Sequence, residues 1–563
     1  MEQRSRHASP DPVDDLVQAA WEWAADDPDP RTRAELEAVI AASEGGDPAA
    51  RADLTDRFAG LLRFGTAGLR GALGAGPNRM NRAVVIRAAA GLVAHLQEAS
   101  DSPFVVIGRD ARHNSDVFAA DTAAVVTAAG GRALLLPDPV PTPVIAFAVR
   151  HLGADAGVVV TASHNPPQDN GYKVYLGDGR QIVPPADAQI AARIAQVASV
   201  ADVPRADSGW ELGGDELVEA YLDAVTTVVA PDTPRDLAVL HTSLHGVGNA
   251  TVQQAFVRAG FPQPQHVASQ AQPDPDFPTV AFPNPEEDGA LDLALAQAEQ
   301  ASPDIVIAND PDADRCAVAV PTDHGWRLLR GDELGALLAS HLIMRGVPEG
   351  RRMACSIVSS RLLSAMCALS GVAYEETLTG FKWISRVEDL HYGYEEALGY
   401  CVAPDIVRDK DGVSAALLVA ELAAILKHEG RGLLSVLDDL HTQLGVHATD
   451  AFSVRVSDLG DLDVLMARLR QVPPTDVAGS PVARADDLSA GSDGLPPTDG
   501  LRYLLEDDTR IIVRPSGTEP KLKVYLEAIV SVAGPDDLGA ARERAATRLT
   551  SVRAAMEAVT ALG

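Results

Sequence analysis

Past a helical first stretch, short β-rich apolar runs alternate along the chain with alanine-rich helical stretches. PFVVIGRD at 103–110 predicts a strand leading into a turn, residues 115–130 a helix, and RALLLP at 132–137 the next strand. AGVVVTASHNPP at 156–167 reads as a strand opening into a loop. This βαβ rhythm predicts α/β layering. It restarts at DLAVLHTSLHGVG (236–248) and runs to DIVIANDPDADR (304–315). A third block opens at GDELGALLASHLI (331–343), with RRMACSIVSS (351–360) as its first strand.

The remaining segments differ in kind. Residues 1–60, with AADDPDPRTRAELEAVIAA among them, predict helices joined by Asp-Pro punctuation. Residues 471–500 are rich in Pro, Gly, Ser and Asp and predict a surface insertion or loop. RIIVRPSGTEPKLKVYLEAIV predicts two strands flanking a loop, followed by a terminal helix. The expected division is a helical extension over 1–60, domains over 61–230, 231–330 and 331–440, and a last domain over 441–563.

Composition narrows the chemistry. The chain has 563 residues, 46% of them hydrophobic, enough to bury several cores. Lys+Arg 47 against Asp+Glu 79 leaves a net charge of −32. That balance argues against nucleic acid as a partner, and an anionic substrate would need a local basic pocket. The four cysteines, Cys316, Cys355, Cys367 and Cys401, show no CxxC spacing and read as reduced thiols. The N-terminus has no apolar leader core, and the best apolar run, 415–426, is broken by Glu421 and too short to span a bilayer. A cytoplasmic protein with no membrane partner is expected.

Four loops carry candidate chemistry. In Thr161-Ala162-Ser163-His164-Asn165-Pro166-Pro167, Ser163 follows the run GVVV, at the carboxyl end of a strand, where α/β folds place ligands. A serine in a turn can equally be a hydrogen-bonding turn residue, and the loop lacks the GxSxG elbow of α/β hydrolases.

The second loop, Asp310-Pro311-Asp312-Ala313-Asp314-Arg315, puts three carboxylates at alternate positions. A straight chain would spread the outer two over roughly 13 Å, so the segment must curl to hold one ion. Brought together, they repel by about 4 kcal/mol per close pair at an intermediate dielectric, and a bound dication removes that cost. Oxygen-only ligands indicate Mg2+ or Mn2+ rather than zinc. A solvated acidic turn remains the alternative, and a nucleophilic-aspartate phosphatase is a rival. An EF-hand fits poorly, with Arg315 and Pro321 where its glycine and bidentate glutamate belong.

In HYGYEEALGY, Glu395 and Glu396 can accept hydrogen bonds from vicinal sugar hydroxyls, or can be two exposed glutamates. In Arg514-Pro515-Ser516-Gly517-Thr518-Glu519-Pro520-Lys521, an arginine fork, two hydroxyls, a glycine N–H and a lysine lie within eight residues, a composition suited to a phosphate dianion; a polar hairpin loop is the alternative. No Walker-type GxxxxGK[ST] occurs, so ATP is not implied.

Together these loops resemble the α-D-phosphohexomutase superfamily of phosphoglucomutases, phosphomannomutases and phosphopentomutases. TASHNPP is similar to its phosphoserine loop, DPDADR to its metal loop, GYEEALGY to its sugar loop and RPSGTEPK to its phosphate loop, in the family's order. RFGTAGLRG (63–71) and LTGFK (378–382) add to the match, which covers about residues 60–560. The resemblance implies four domains around a central cleft, three related α/β domains with mixed sheets plus a C-terminal α+β domain. It implies that Ser163 carries the phosphoryl group, that Mg2+ binds Ser163, Asp310, Asp312 and Asp314, and that Arg70, His164, Lys173 and Arg315 are active-site groups. Thr379, Gly380, Lys382, Glu395 and Glu396 would contact the sugar, and Arg514, Ser516, Gly517, Thr518 and Lys521 a phosphate.

The expected activity is interconversion of sugar 1-phosphate and 6-phosphate, of glucose or mannose, through a bisphosphosugar, in a monomer or homodimer; a sugar 1,6-bisphosphate activator is compatible with it. One departure bears on specificity. The family's common Glu-Glu-Ser-Gly-His is here Glu395-Glu396-Ala397-Leu398-Gly399-Tyr400, so no catalytic histidine is carried to Tyr400. With FGTAGLRG and FPNPEEDGAL (282–291), this form resembles the branch of phosphopentomutases and glucose-1,6-bisphosphate synthases. A phosphohydrolase and a catalytically silent phosphosugar-binding protein are the remaining alternatives.

Overall fold

The computed structural model describes residues 12–65, 68–456, 459–516 and 521–561. The chain divides into two compact units, each interrupted in sequence: Met1–Thr227 with Ala238–Cys316 and Asp405–Val413, and Val228–Leu237 with Ala317–Pro404 and Ser414–Gly563.

The first unit begins with helices Pro12–Asp26, Pro30–Glu44 and Pro48–Arg57. Asp-Pro punctuation starts the latter two: Asp29 accepts from the N–H of Arg31, and Asp47 from those of Ala49 and Ala50, each with proline following at the first helical position. Ala20, Ala24, Leu36, Ile40 and Leu54 bury a small core between the three helices. Asp26 fastens the first helix to the neighbouring domain, accepting from Ser199 Oγ and from the backbone N–H of Val200 and Ala201.

The main sheet of this unit has the order Leu69–Ala72, Asp169–Leu176, Ala156–Val160, Phe104–Arg109, Arg132–Leu135, Glu211–Leu212. The last four strands run parallel to one another, and Asp169–Leu176 is antiparallel to both its neighbours. Ala156–Val160 is buried along its whole length, as a strand covered on both faces must be. Strands Ile305–Ala308, Val239–Thr242 and Gln265–His266 form a second parallel set.

In the second unit, Arg352–Ser356 pairs in parallel with Ala373–Thr377 and with Leu390–Glu395, while Gly399–Cys401 returns antiparallel. The C-terminal sheet is antiparallel throughout, in the order Val446–Arg455, Lys521–Val530, Arg510–Pro515, Leu501–Leu505, Ser480–Asp487, Asp476–Val477. The α/β reading with a distinct last domain therefore holds. Of the expected surface insertion or loop over 471–500, the loop is corrected: Ser480–Asp487 adds a strand to the sheet, followed by a short turn of helix at Leu488–Ala490. Leu488 and Leu495 are buried, and these two apolar anchors outweigh the turn-rich composition around them. Among the described residues no helix is long and apolar enough to cross a membrane. All four cysteines are buried, and none is in a disulfide.

Candidate active site

Ser163 stands just beyond the buried strand Ala156–Val160, in the left-handed region at φ 53°. Its N–H donates to Thr161 Oγ1 at 2.9 Å, and the N–H of Asn165 donates to the carbonyl of Ala162 at 3.1 Å, so the loop is tightly folded on itself. Ser163 is 2% exposed. Its Oγ donates to Asp310 Oδ2 at 2.8 Å and lies 3.2 Å from His164 Nδ1.

The aspartate trio follows the buried strand Ile305–Ala308. The required curl occurs at Ala313, φ 55°, whose N–H closes a turn onto the carbonyl of Asp310 at 2.9 Å. One carboxylate oxygen from each of Asp310, Asp312 and Asp314 then falls within 4.8 Å of the others, with all three residues buried. Asp312 Oδ2 accepts from Thr142 Oγ1 at 2.7 Å and Lys173 Nζ at 2.6 Å. Asp314 Oδ2 accepts from Lys173 Nζ at 2.8 Å and faces Lys410 Nζ at 3.2 Å. Asp310 Oδ1 accepts from the N–H of Arg315 at 3.0 Å.

Two oxygens are left over. Asp312 Oδ1 and Asp314 Oδ1 are buried and accept no hydrogen bond. Orphaned buried carboxylate oxygens are costly unless a cation meets them, and an all-oxygen set beside a serine hydroxyl fits a hard dication. The residues present therefore fit a divalent metal.

Burial raises the carboxyl of Asp312, with Asp314 and Asp310 adding to the rise and Lys173 opposing it. For Asp314 burial acts in the same direction but loses to Lys173, Lys410 and Arg315, and its carboxyl is held far below the usual range. Burial would lower Lys173, yet Asp312 and Asp314 reverse this and hold it as an ammonium. His164 is pushed well below the usual imidazole range by burial, then by Arg315 and Arg70, so the ring is neutral.

Lys173 reaches the trio because its strand alternates: Tyr172 and Val174 face the hydrophobic core, and Lys173 faces the other way. Arg70 lies opposite Gly171 in the adjoining strand and donates from Nη1 to Asn165 Oδ1 at 3.1 Å. Its stretch passes close to the main sheet at Gly68, φ 74°, where an added Cβ would lie 1.8 Å from the carbonyl oxygen of Tyr172. Thr66 and Ala67 lie outside the described residues.

Two basic residues join this site that motif reading did not single out. Arg112, its side chain 1% exposed, donates from Nη1 to the carbonyls of Pro166 at 2.7 Å and Asp169 at 3.1 Å, and from Nη2 to those of Ser163 at 2.7 Å and Asn165. Its Nε lies 3.2 Å from Asp110, and its guanidinium stacks on Phe277, centroid distance 4.9 Å. The signal available was its place at the carboxyl end of the strand Phe104–Arg109. Lys410 comes from Asp409-Lys410-Asp411-Gly412, where Gly412 is pressed so close that a Cβ would lie 2.2 Å from the carbonyl oxygen of Arg315. A charged run followed by glycine was the only hint.

The other two loops belong to the second unit. Glu396 Oε2 accepts from Ser356 Oγ and Ser359 Oγ, each at 3.1 Å, and Glu395 is buried. Tyr400 is core: its hydroxyl donates to the carbonyl of Gly331 at 3.1 Å, and its ring stacks on Tyr394, itself stacked on Tyr392. Gly380, φ 109°, precedes the short helix Phe381–Ile384, which carries Lys382 with Nζ 5.9 Å from the ring centroid of Trp383. Thr379 is partly buried beside it. Arg514 is the penultimate residue of the strand Arg510–Pro515, and the N–H of Ser516 donates to the carbonyl of Lys521 at 2.8 Å. Gly517 and Thr518 lie outside the described residues. Burial pushes the Tyr525 hydroxyl up, Glu396 and Glu395 act in the same sense, and Arg514 opposes them.

A buried serine thus stands against a buried carboxylate trio, each at the carboxyl end of a buried strand in the first unit. Four consecutive domains of the phosphoglucomutase/phosphomannomutase family match the chain: α/β/α domain I over residues 61–201, domain II over 219–325, domain III over 330–443 and the C-terminal domain over 404–533. The chain belongs to this family, whose members are isomerases acting as intramolecular phosphotransferases. It is 47% identical over 456 residues to a probable phosphomannomutase of Haemophilus influenzae, covering 80% of this chain and 93% of that one. It is 36% identical over 572 residues to a phosphopentomutase of Mus musculus, covering 91% and 90%. The fold is similar to that of a putative phosphomannomutase from Thermus thermophilus, with a TM-score of 0.68 at 26% identity, covering 87% of this chain and 99% of that one.

Proposed function

We propose that this protein is a Mg2+-dependent mutase that interconverts the 1-phosphate and 6-phosphate of a hexose, glucose or mannose, through a phosphorylated Ser163. The observation that carries this reading is the 2.8 Å hydrogen bond from Ser163 Oγ to Asp310 inside a buried, partly unsatisfied carboxylate trio. Asp310, Asp312 Oδ1, Asp314 Oδ1 and Ser163 would hold the metal, and a bound Mg2+ supplies charge neutralisation at the oxygens of the transferring group. A phosphoserine and three carboxylates carry about five negative charges, which Lys173, Lys410, Arg315 and the dication together balance.

In the forward half-reaction the free hydroxyl of a sugar monophosphate attacks phosphorus in line, the bond from phosphorus to Ser163 Oγ breaks, and a bisphosphosugar forms. The proton lost by the sugar hydroxyl ends on Ser163 Oγ, which His164 Nδ1 and Asp310 Oδ2 flank. The return half-reaction moves the other phosphate to Ser163. Arg112 holds the loop carbonyls so that Oγ does not drift. Thr379, Gly380, Lys382, Glu395 and Glu396 are assigned to the sugar, and Arg514, Ser516, Gly517, Thr518 and Lys521 to the phosphate not in transfer.

A second reading, conversion of pentose 1-phosphate to 5-phosphate or synthesis of a sugar bisphosphate, is favoured by Glu395-Glu396-Ala397-Leu398-Gly399-Tyr400 and by the phosphopentomutase relatives. Side-by-side turnover of glucose, mannose and ribose 1-phosphates with Mg2+ separates the two. Free phosphate as the product in place of isomerised sugar phosphate would sink both.

A further inference from the structure

A cavity of about 220 Å3 opens in the second unit where helices Gly331–Arg345, Leu433–Leu444 and Leu538–Thr560 meet strand Val446–Arg455. Its lining brings the guanidiniums of Arg327, Arg330 and Arg542 against the carboxyls of Asp332 and Glu333, with His447 and with His441, which burial and Arg542 push down to about 4. The acids are largely engaged. Glu333 pairs with Arg327, and Asp332 Oδ1 accepts from the N–H of Ser360 at 2.7 Å and from Tyr394 OH at 3.1 Å. The Arg330 guanidinium has no carboxylate partner among the described residues, its backbone N–H alone meeting Glu333. Arg542 is held between Asp438, at 2.5 Å, and His441 Nδ1, at 3.2 Å. Asp332 and Glu333, in the first turn of helix Gly331–Arg345, stand on the same wall, and Glu333 Oε2 accepts from the N–H of Arg330 at 2.9 Å. The opposite wall is apolar, with Leu437, Ala546 and Leu549. A metal is not the occupant, because among the described residues only the Asp310 trio gathers three ligand atoms within 4.8 Å.

We propose that this cavity is a second anion site, taking a small phosphomonoester whose phosphate meets Arg330 and Arg542 while its carbon skeleton lies on Leu437, Ala546 and Leu549. The volume holds several waters, enough for a small phosphate ester. The guanidiniums provide planar donors for phosphate oxygens, and the apolar wall rewards a ligand with a body over a bare ion.

The wall of the cavity is also the back of the sugar-type loop. Gly331 packs so tightly that a Cβ would lie 1.8 Å from the carbonyl oxygen of Glu396, and Tyr394, whose hydroxyl reaches Asp332, precedes Glu395 directly. An occupied cavity therefore bears on Glu395 and Glu396. This consequence rests on the proposed mutase reading, whereas binding itself does not.

Glycerol 3-phosphate is a suitable probe with the full chain, by calorimetric titration and by soaking crystals. Density for its phosphate between Arg330 and Arg542 is expected, together with at least tenfold weaker binding to that site in Arg330→Glu and in Arg542→Ala. Arg514→Ala should leave this binding class intact. The Arg330 side chain is exposed and its guanidinium has no carboxylate partner among the described residues, so Arg330→Glu should fold with an unchanged thermal midpoint even if Arg542→Ala does not. Wild-type titration by Arg330→Glu, or soaked crystals with an empty cavity, would overturn the site. A probe-induced change in kcat at saturating sugar phosphate, present in wild type and lost in Arg330→Glu, is expected from the coupling; an identical kcat response in both overturns the coupling. Binding retained in a protein without mutase turnover would count against the proposed function alone.

Discussion

Ser163 Oγ donates to Asp310 Oδ2 across 2.8 Å although 147 residues separate the two in the chain. Each stands at the carboxyl end of its own fully buried strand, so the contact is made by two stiff elements. A hydroxyl held in this way is pre-positioned for phosphoryl exchange, and removing it should abolish turnover. Ser163→Ala is expected to lose mutase activity by at least about 10³-fold while keeping the wild-type thermal midpoint. Intact-mass measurement should detect one phosphate on the wild type and none on the variant.

Lys173 partly neutralises the carboxylates that a metal would neutralise further. Lys173→Met should destabilise the chelator-treated protein by about 2–4 kcal/mol, since the trio then repels with less opposition. Added Mg2+ should raise the thermal midpoint of this variant by more than it raises that of wild type. Equal shifts in the two proteins would disconnect Lys173 from the metal site.

Arg112 donates to four carbonyls of the serine loop and faces the buried Asp110, whose carboxyl is raised by burial and lowered by Arg112. Arg112→Ala leaves that charge and those acceptors unmet, and a loss of about 3–5 kcal/mol is expected. Arg112→Lys keeps the charge without the fork. It should recover much of the stability but little of the Ser163 phosphorylation, read by intact mass after exposure to a sugar bisphosphate.

Glu527 ties the C-terminal sheet to Ser360 and Arg361. It accepts from Ser360 Oγ at 2.8 Å and from Arg361 at 2.7 Å, and Arg510 lies at 3.2 Å. Burial raises its carboxyl, but Arg510, His447 and Arg361 outweigh that and hold it far below the usual value. Its contribution is therefore present above the unfolded value, near 4.5, and is lost as pH falls through the folded one. Glu527→Gln should cost about 3–5 kcal/mol at neutral pH and flatten the acid limb of the stability curve, measured by denaturant titration from acidic to neutral pH.

Asp332 has the opposite sign. Burial first, then Glu396 and Glu527, push its carboxyl up from 3.8 to about 7. The native state therefore holds a proton that the unfolded chain has released, and stability falls as pH rises from about 4 to about 7. Asp332→Asn keeps an acceptor for the N–H of Ser360 and carries no charge. It should remove that slope and stabilise the protein at pH 8 by up to about 4 kcal/mol, visible as a higher thermal midpoint.

The α/β layering and the strands that end at Ser163 and Asp310 were legible because each is a short apolar run closed by a turn, a pattern local to its own residues. The clustering of the trio was legible as a need to curl, though not as the left-handed Ala313 that performs it. Arg112 and Lys410 were not legible in their roles. Their sequence neighbourhoods look like ordinary charged turns, and they reach the site through contacts with residues far along the chain. The strand within 471–500 was hidden for a related reason: its pairing partner, Leu501–Leu505, supplies the ladder that its own polar composition does not suggest. Tyr400 illustrates the reverse, a position next to chemistry in the chain and yet part of a buried aromatic stack.

The left-handed backbone at Ser163 restricts what evolution can place there. A φ of 53° tolerates glycine, asparagine, aspartate and, at modest cost, serine, whereas a β-branched side chain collides with its own main chain. Threonine carries the same hydroxyl and could bear the same phosphate, yet the turn disfavours it before any reactivity is tested. At this position the shape of the peptide narrows the choice of alcohol.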